Sequence, residues 1–341
     1  MRFGPVPLNL AEGAILAHSV VLPEGSSLRK GQRLHAADLD RLRAAGIAEV
    51  MAARLDPGDV DETEAAVRLA EALVPDEAAA HLRRAPPVNG RVNLHATEPG
   101  VLVVDVAAIG ALNRIDPAIT LATLPSFARV APRTLVGTAK IISYAVPGTA
   151  LEAACAAGRG ALRVAPVVRR SAGLVLSEVP GQKSSLAEKG RRAVAGRLRA
   201  LGITLEAVVS VPHRMHDIAG ALAALPGDIA LILTGSATSD LHDVAPEAVR
   251  AAGGSVARFG MPVDPGNLLF HGRQGGRPVI GLPGCARSPA LNGADWVLDR
   301  IACGFDPSDE DIAAMGVGGL LKETPLRPHP RESGAADDLD A

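Results

Sequence analysis

The sequence predicts an α/β protein: a three-layer αβα domain on a mostly parallel sheet, preceded by a β-rich α+β domain. From Gly173 onward, apolar runs of strand length alternate with amphipathic runs of helix length, the signature of parallel strands with helices on both faces. Before that point the apolar runs are short and punctuated by Pro and Gly. Size and composition agree with this, since 341 residues correspond to about two domains at roughly 150 residues each. The chain is 48% hydrophobic but only 2% aromatic, so Ala, Val, Leu and Ile must fill its cores. The expected boundaries are a β-rich domain over 1–168, an α/β domain over 169–305 and a polar, disordered tail over 306–341.

Taken in order, Ala14–Leu22 reads as a strand closed by the turn Pro23-Glu24-Gly25, and Ser27–Gly31 as a second turn. Ala36–Ala45 carries Leu39 and Leu42 at helical spacing and stops at Gly46. Ile47–Ala52 follows as a strand, then a turn at Leu55–Asp59, then an amphipathic helix over Asp61–Leu73 with acids in its first turn. Val101–Val104 and Thr138–Ile142 are further strands, and Val88–Pro147 as a whole predicts short strands between turns.

In the second half, strands are expected at Gly173–Ser177, Leu205–Val211, Asp228–Thr234 and Pro278–Leu282. Helices are expected at Leu186–Leu201, Ile218–Leu225, Pro246–Ala252 and Leu291–Cys303. From Lys322 on, Pro, Gly and acidic residues dominate and predict disorder.

A formal net charge of −2 and so few aromatics exclude a basic nucleic-acid face and base-stacking platforms. No apolar run approaches the ~20 residues needed to span a bilayer. Pro5, Pro7 and Glu12 interrupt what a signal peptide would need. Cys155, Cys285 and Cys303 are too widely spaced for a disulfide framework or a CxxC metal site. Together these predict a cytoplasmic protein without nucleic-acid or membrane partners.

Two loops can carry chemistry because each follows an apolar strand and opens toward a helix, which places both at the carboxyl edge of a parallel sheet. The first, Thr234-Gly235-Ser236-Ala237-Thr238-Ser239-Asp240-Leu241-His242-Asp243, supplies a glycine, hydroxyls and acids. Pro246 suits the first position of the following helix, whose N–H groups attract anions. Asp243 reads either as the N-cap of that helix or as a functional carboxylate. The second loop, Gly281–Ser288, again brings glycines, Arg287 and Ser288 to where a helix should begin. Between them, Val263–Asn267 reads as a tight turn. Walker, GxGxxG and nucleophile-elbow motifs do not occur.

The run Leu231–Ala248, with Gly253-Gly254 after it, resembles the substrate loop of molybdenum-cofactor biosynthesis domains. Such domains occur in molybdopterin adenylyltransferases, molybdopterin molybdotransferases and the gephyrin type. Their pattern is a strand, Thr-Gly-Gly, a small-residue loop, then Asp-Val-x-Pro-Glu-Ala. Gly260–Asn267 and Gly275–Gly284 extend the resemblance, which covers 169–305. Val92-Asn93-Leu94 and Thr138–Ile142 resemble the leading region of stand-alone molybdopterin-binding proteins. Four positions depart from the pattern. Ser236 replaces the second glycine, Asn267 the turn lysine of molybdotransferases, and Cys285-Ala286 the Asn-Pro after Gly-Leu-Pro-Gly.

The resemblance implies molybdopterin as ligand or substrate, with Mg²⁺ and molybdate as companions. It implies contacts from Thr234, Gly235, Ser236, Thr238, Ser239, Asp240, Pro265, Gly266, Pro283, Gly284, Arg287 and Ser288, with Asp243 as catalytic residue and metal ligand. The implied role is cofactor binding, molybdenum insertion or nucleotide attachment; the alternative is a non-catalytic carrier or assembly factor. A cofactor nucleotidyltransferase or a molybdoenzyme is the implied partner, and a homo-oligomer, dimer or trimer, the implied assembly. Losing a cation beside bound phosphate tilts the reading toward the carrier. Cys285 reads as a small buried hydrophobe or as a thiol beside a dithiolene ligand. His242 and His271, without paired spacing, read as solvated loop residues rather than metal ligands.

Overall fold

Pro166 marks the start of the second of two compact units, Met1–Ala165 and Pro166–Ala341. The structure, a computed structural model, describes residues 1–321. The expected disorder beyond Lys322 lies outside the described residues.

In the first unit, Arg2–Pro7, Glu49–Arg54 and Ile15–Leu16 form an antiparallel sheet, and leucines 16, 22, 28, 34, 39 and 42 fill its core. The run expected as one strand over Ala14–Leu22 is two short ones. Ile15–Leu16 pairs with Ala52–Ala53, and Val20–Val21 turns away to pair with Ser27–Leu28. Ser27–Leu28, expected to be part of a turn, is therefore a strand. A second antiparallel sheet runs in the order Ile119–Thr123, Leu135–Ile141, Arg91–Ala96, Leu82–Arg84.

Helix Glu62–Leu73 buries Ala65, Ala66, Leu69, Ala70 and Leu73 in the core that this sheet shares. It begins where expected because Asp61 accepts from the Thr63 and Glu64 amides at 3.0 and 3.2 Å. Helices Val106–Leu112 and Gly148–Ala157 were not legible: both are rich in Ala and Gly, so neither shows a 3.6-residue apolar stripe.

The second unit contains strands β1 (Ser171–Glu178), β2 (Thr204–Pro212), β3 (Ile229–Leu233), β4 (Gly254–Phe259), β5 (Phe270–Gln274) and β6 (Arg277–Leu282). Its helices are α1 (Ser184–Ala200), α2 (Met215–Ala224), α3 (Val244–Ala251), α4 (Gly293–Ala302) and α5 (Asp309–Ala313). The six strands form one sheet in the order β2-β1-β3-β6-β5-β4, parallel from β2 to β6 and antiparallel at β5 and β4. Helices α2 and α3 cover one face over Val175, Ile232, Phe270 and Val279. Leu233 points to the other face, where Gly190 of α1 meets it. Every residue of β3 is buried, as its five consecutive apolar residues predict for a central parallel strand.

Gly281 admits the Phe270 ring of β5, because a Cβ there would lie 1.9 Å from its Cε1. The short antiparallel strands β4 and β5 were missed in the sequence: their glycines and charges hide the alternation.

The stretch from 306 is not a disordered tail over its first part. Ser308 caps α5, and Ile312, Met315 and Leu321 are buried. Asp264 donates its amide to Gly319 O at 2.9 Å and accepts from Leu321 N at 2.8 Å. Three apolar side chains spaced through a polar segment suffice to dock it.

Candidate functional site

The carboxyl ends of β1, β3 and β6 lie side by side, and the loops they feed meet there. Gly235 is pressed against the loop after β1: a Cβ on it would stand 2.6 Å from Gln182 Oε1 and 2.7 Å from Ser177 O. Its role is close approach rather than an unusual turn. Its amide donates to Ser177 Oγ at 3.1 Å. Thr234 is buried and its hydroxyl donates to Ser236 O. Thr238 is buried, whereas Ser236, Ser239 and Asp240 are exposed.

Asp243 organises the rest of this loop. Its Oδ1 accepts from Val244 N at 2.7 Å and its Oδ2 from Ser239 N at 2.8 Å. Asp240 accepts from His242 N at 2.7 Å, and its carbonyl from Asp243 N at 3.2 Å. Helix α3 starts at Val244, so Pro246 occupies its third position rather than its first. The helix end is accordingly a poorer anion nest than the sequence suggested. Val244 N is taken by Asp243, and Pro246 has no N–H to offer.

His242 is not a lone loop imidazole. Its Nδ1 sits 2.8 Å from Glu247 Oε1, and Arg250 Nη1 reaches the same oxygen at 2.6 Å. His242 first, then Arg250, hold the Glu247 carboxyl below its ordinary range.

The second loop does not lead straight into a helix. Gly284–Arg287 is one 3-10 turn after Pro283, and α4 begins only at Gly293. The N-terminus of α4 is already satisfied by Pro265 O, which accepts from Gly293 N at 2.8 Å, and by Asn292 Oδ1, which accepts from Ala294 N at 3.0 Å. The Val263–Asn267 turn contains a cis Asp264–Pro265 bond, and a Cβ on Gly266 would lie 2.8 Å from Gly293 N. Pro265 and Gly266 therefore serve the start of α4. Cys285 is half-buried, and its Sγ accepts from Asn292 Nδ2 at 3.0 Å. Ser288 Oγ accepts from Ala290 N at 3.3 Å.

Arg287 joins the two loops. Its guanidinium donates to Thr234 O from Nη2, at 2.5 Å, and to Gly284 O from Nη1, at 3.5 Å. Its Nε is buried without a partner, and burial pushes its pKa down. Among the described residues it makes no ion pair, so a half-buried positive charge faces only carbonyl dipoles.

No group of three or more His, Cys, Asp or Glu among the described residues could hold a metal ion. Mg²⁺ favours six oxygens in near-octahedral array. Asp243, with an amide on each oxygen, does not build such a site by itself.

Residues 176–301 match the model of a family described as a probable molybdopterin binding domain. Residues 5–54 match a domain of unknown function. No curated protein matches the chain in sequence. Among solved structures, the chain is similar to a molybdopterin biosynthesis moea protein from Pyrococcus horikosii. There the identity is 13%, 83% of this chain and 70% of that one are covered, and the TM-score is 0.26. It is also similar to a molybdopterin biosynthesis protein from Mycobacterium abscessus at 16% identity, covering 40% of this chain and 92% of that one, with a TM-score of 0.27.

Two supports of these loops escaped the sequence reading. Arg197 of α1 and Asp295 of α4, both buried, clamp the second loop from behind. The Arg197 guanidinium donates to Ala286 O at 2.7 Å, Ser288 O at 2.8 Å and Ala290 O at 3.1 Å. Ser177, buried at the end of β1, lies 2.8 Å from His213 Nδ1 while accepting the Gly235 amide. Arg197 sits in an arginine-rich helix and looks like any surface cation in sequence. Ser177 and His213 are 36 residues apart and meet only through the β1–β2 pairing.

Proposed function

We propose that the chain binds molybdopterin at the carboxyl edge of its parallel sheet, between loops 234–243 and 281–288, in the service of molybdenum-cofactor biosynthesis. The observation that carries this reading is Arg287. A guanidinium half out of water, with no counter-charge and an unpartnered Nε, is costly until an anion arrives. The pterin phosphate of molybdopterin is such an anion, and guanidinium–phosphate hydrogen bonds are strong. Thr234, Ser236, Thr238, Ser239, Asp240, Pro283, Gly284 and Ser288 border the same edge and complete the proposed contact set.

The bond pattern at Asp243 favours holding over turnover. Both carboxylate oxygens already fix the loop that would receive the ligand, so Asp243 acts as the clasp of a carrier that presents the cofactor to a nucleotidyltransferase or a molybdoenzyme. Such a carrier would act in the cytoplasm, where its three thiols stay reduced. Titration of molybdopterin into the full chain and into Arg287→Ala tests the site. Binding should weaken about tenfold to a hundredfold on loss of one charged contact, roughly 1.5–3 kcal/mol. Equal affinity of parent and variant overturns the placement. Turnover by the parent with ATP, CTP or molybdate, abolished in Asp243→Asn, overturns the carrier reading.

A further inference from the structure

The chain has five lysines and one tyrosine. Two of those lysines, Lys30 and Lys140, and that tyrosine, Tyr144, line one cavity of about 530 Å³ in the first unit, together with Phe3, His18 and Glu62. Such a concentration of scarce residue types is not explained by the fold, which packs its cores from Ala, Val, Leu and Ile. We propose that this cavity binds a small planar heteroaromatic ring carrying a phosphate.

The ring-binding element is the pair Phe3 and Tyr144. Their rings are parallel within 6°, with centroids 6.4 Å apart. Tyr144 is held in place because its hydroxyl donates to Ala17 O at 3.2 Å. Phe3 is 55% exposed and the neighbouring Ile142 65% exposed, so apolar surface stands in water at the rim of the cavity. Stacking a planar ring on such a face removes that surface from water and uses the quadrupole of the aromatic ring.

The phosphate-binding element is the lysine pair. Lys140 is anchored by a hydrogen bond from its Nζ to Asn89 O, and Asn89 adopts a left-handed backbone at φ 47°. Lys30 is held at its backbone, where its amide donates to Ser19 Oγ at 3.0 Å. Neither lysine makes an ion pair among the described residues. Two ammonium groups against the single carboxylate of Glu62 leave the cavity formally positive in a chain whose net charge is −2. Dianionic phosphate matches that excess, and His18 adds a third donor. A nucleoside monophosphate and a pterin monophosphate share this chemistry, and the two sources are separated by experiment.

Tyr144 is its own reporter, because the chain has no other tyrosine ring to overlap with it. The full chain, labelled at tyrosine, is titrated with AMP, with a pterin monophosphate and with inorganic phosphate while the ring signals are followed by NMR. AMP or the pterin monophosphate, whichever is the physiological class, should shift the Tyr144 signals saturably. Inorganic phosphate should bind about tenfold more weakly or worse. The double variant Lys30→Gln, Lys140→Gln should raise Kd for the better ligand at least about tenfold, and Phe3→Ala should bring that ligand close to inorganic phosphate. Arg287→Ala should leave the titration unchanged, which keeps this cavity separate from the sheet-edge site. The proposal is overturned by silence of Tyr144 with both ring-bearing phosphates, or by inorganic phosphate binding as tightly as they do. It is equally overturned by unchanged affinity in the lysine double variant at an unchanged thermal midpoint.

Discussion

The guanidinium of Arg197 meets the carboxylate of Asp295 at 2.7 Å, with both side chains almost wholly buried. The pair joins α1 to α4 and saturates its remaining hydrogen-bonding capacity on the second loop and on Asn292 N, which donates to Asp295 Oδ2 at 2.8 Å. Removing one member strands a charge in the interior. Arg197→Ala or Asp295→Ala should each cost about 3–5 kcal/mol in denaturant unfolding, whereas the double replacement Arg197→Met, Asp295→Leu should recover part of that loss. Additive single and double losses would show that the pair acts only through separate packing.

Gly235→Ala should damage the site out of proportion to its size. The added methyl would meet two backbone atoms, Ser177 O and Val179 N, which cannot swing aside. A cost of about 1–3 kcal/mol is expected, together with weaker molybdopterin binding. Gly220→Ala in the middle of α2, where a Cβ meets nothing within 4 Å, is the matched control and should stabilise by up to about 1 kcal/mol. Equal thermal midpoints for the two variants would remove the close approach from the account.

Asp243→Asn retains a single acceptor oxygen where the carboxylate supplies two. One of the bonds from Ser239 N and Val244 N must be lost, at about 1 kcal/mol. Chemical denaturation of parent and variant checks this. An unchanged midpoint would mean that the N-cap bond alone matters, since Asn caps as well as Asp.

His271 predicts a pH dependence. Burial, with a smaller contribution from Arg258, pushes its pKa below the usual 6.5, while Asp306 and Asp309 pull the other way. Its Nε2 has no partner. The unfolded chain therefore takes up a proton that the folded chain refuses. Stability should be flat above about pH 6.5 and fall below it, until the folded-state value is passed, by at most about 1.4 kcal/mol per pH unit. The difference between parent and His271→Gln across pH 8 to 5 isolates this slope; parallel curves would refute it.

What the sequence revealed and what it hid follow from range. Ile229–Leu233 announced a central strand because five apolar residues in a row fit little else. Gly202 and Gly253 announced helix ends because both take a positive φ. Of the two readings open for Asp243, the N-cap is the one observed, and the helix begins two residues ahead of the start expected at Pro246. The loop carbonyls and the carboxylate that Arg197 binds are 89 to 98 residues away, and nothing near it in sequence sets it apart from Arg199. His271 looked like a loop residue because Gly272 and the turn at Gly275-Gly276 mask a strand whose inner face it occupies. The two loops read as chemistry-bearing do lie together, but their helix ends are spent internally, and Arg287, which the sequence already singled out in the second loop, is the cation that joins them.

Strand β3 is bonded on both edges and buried throughout, yet it delivers the chain directly into an exposed loop at Ser236. Local opening free energy must therefore change steeply over a few residues. Amide deuterons at Ala230–Leu233 can wash in only when the whole unit opens, while those at the tip of the loop can wash in through small excursions that leave the sheet untouched. The loop at this edge can thus rearrange at little expense to the scaffold, which is what the proposed binding of a ligand there would call for.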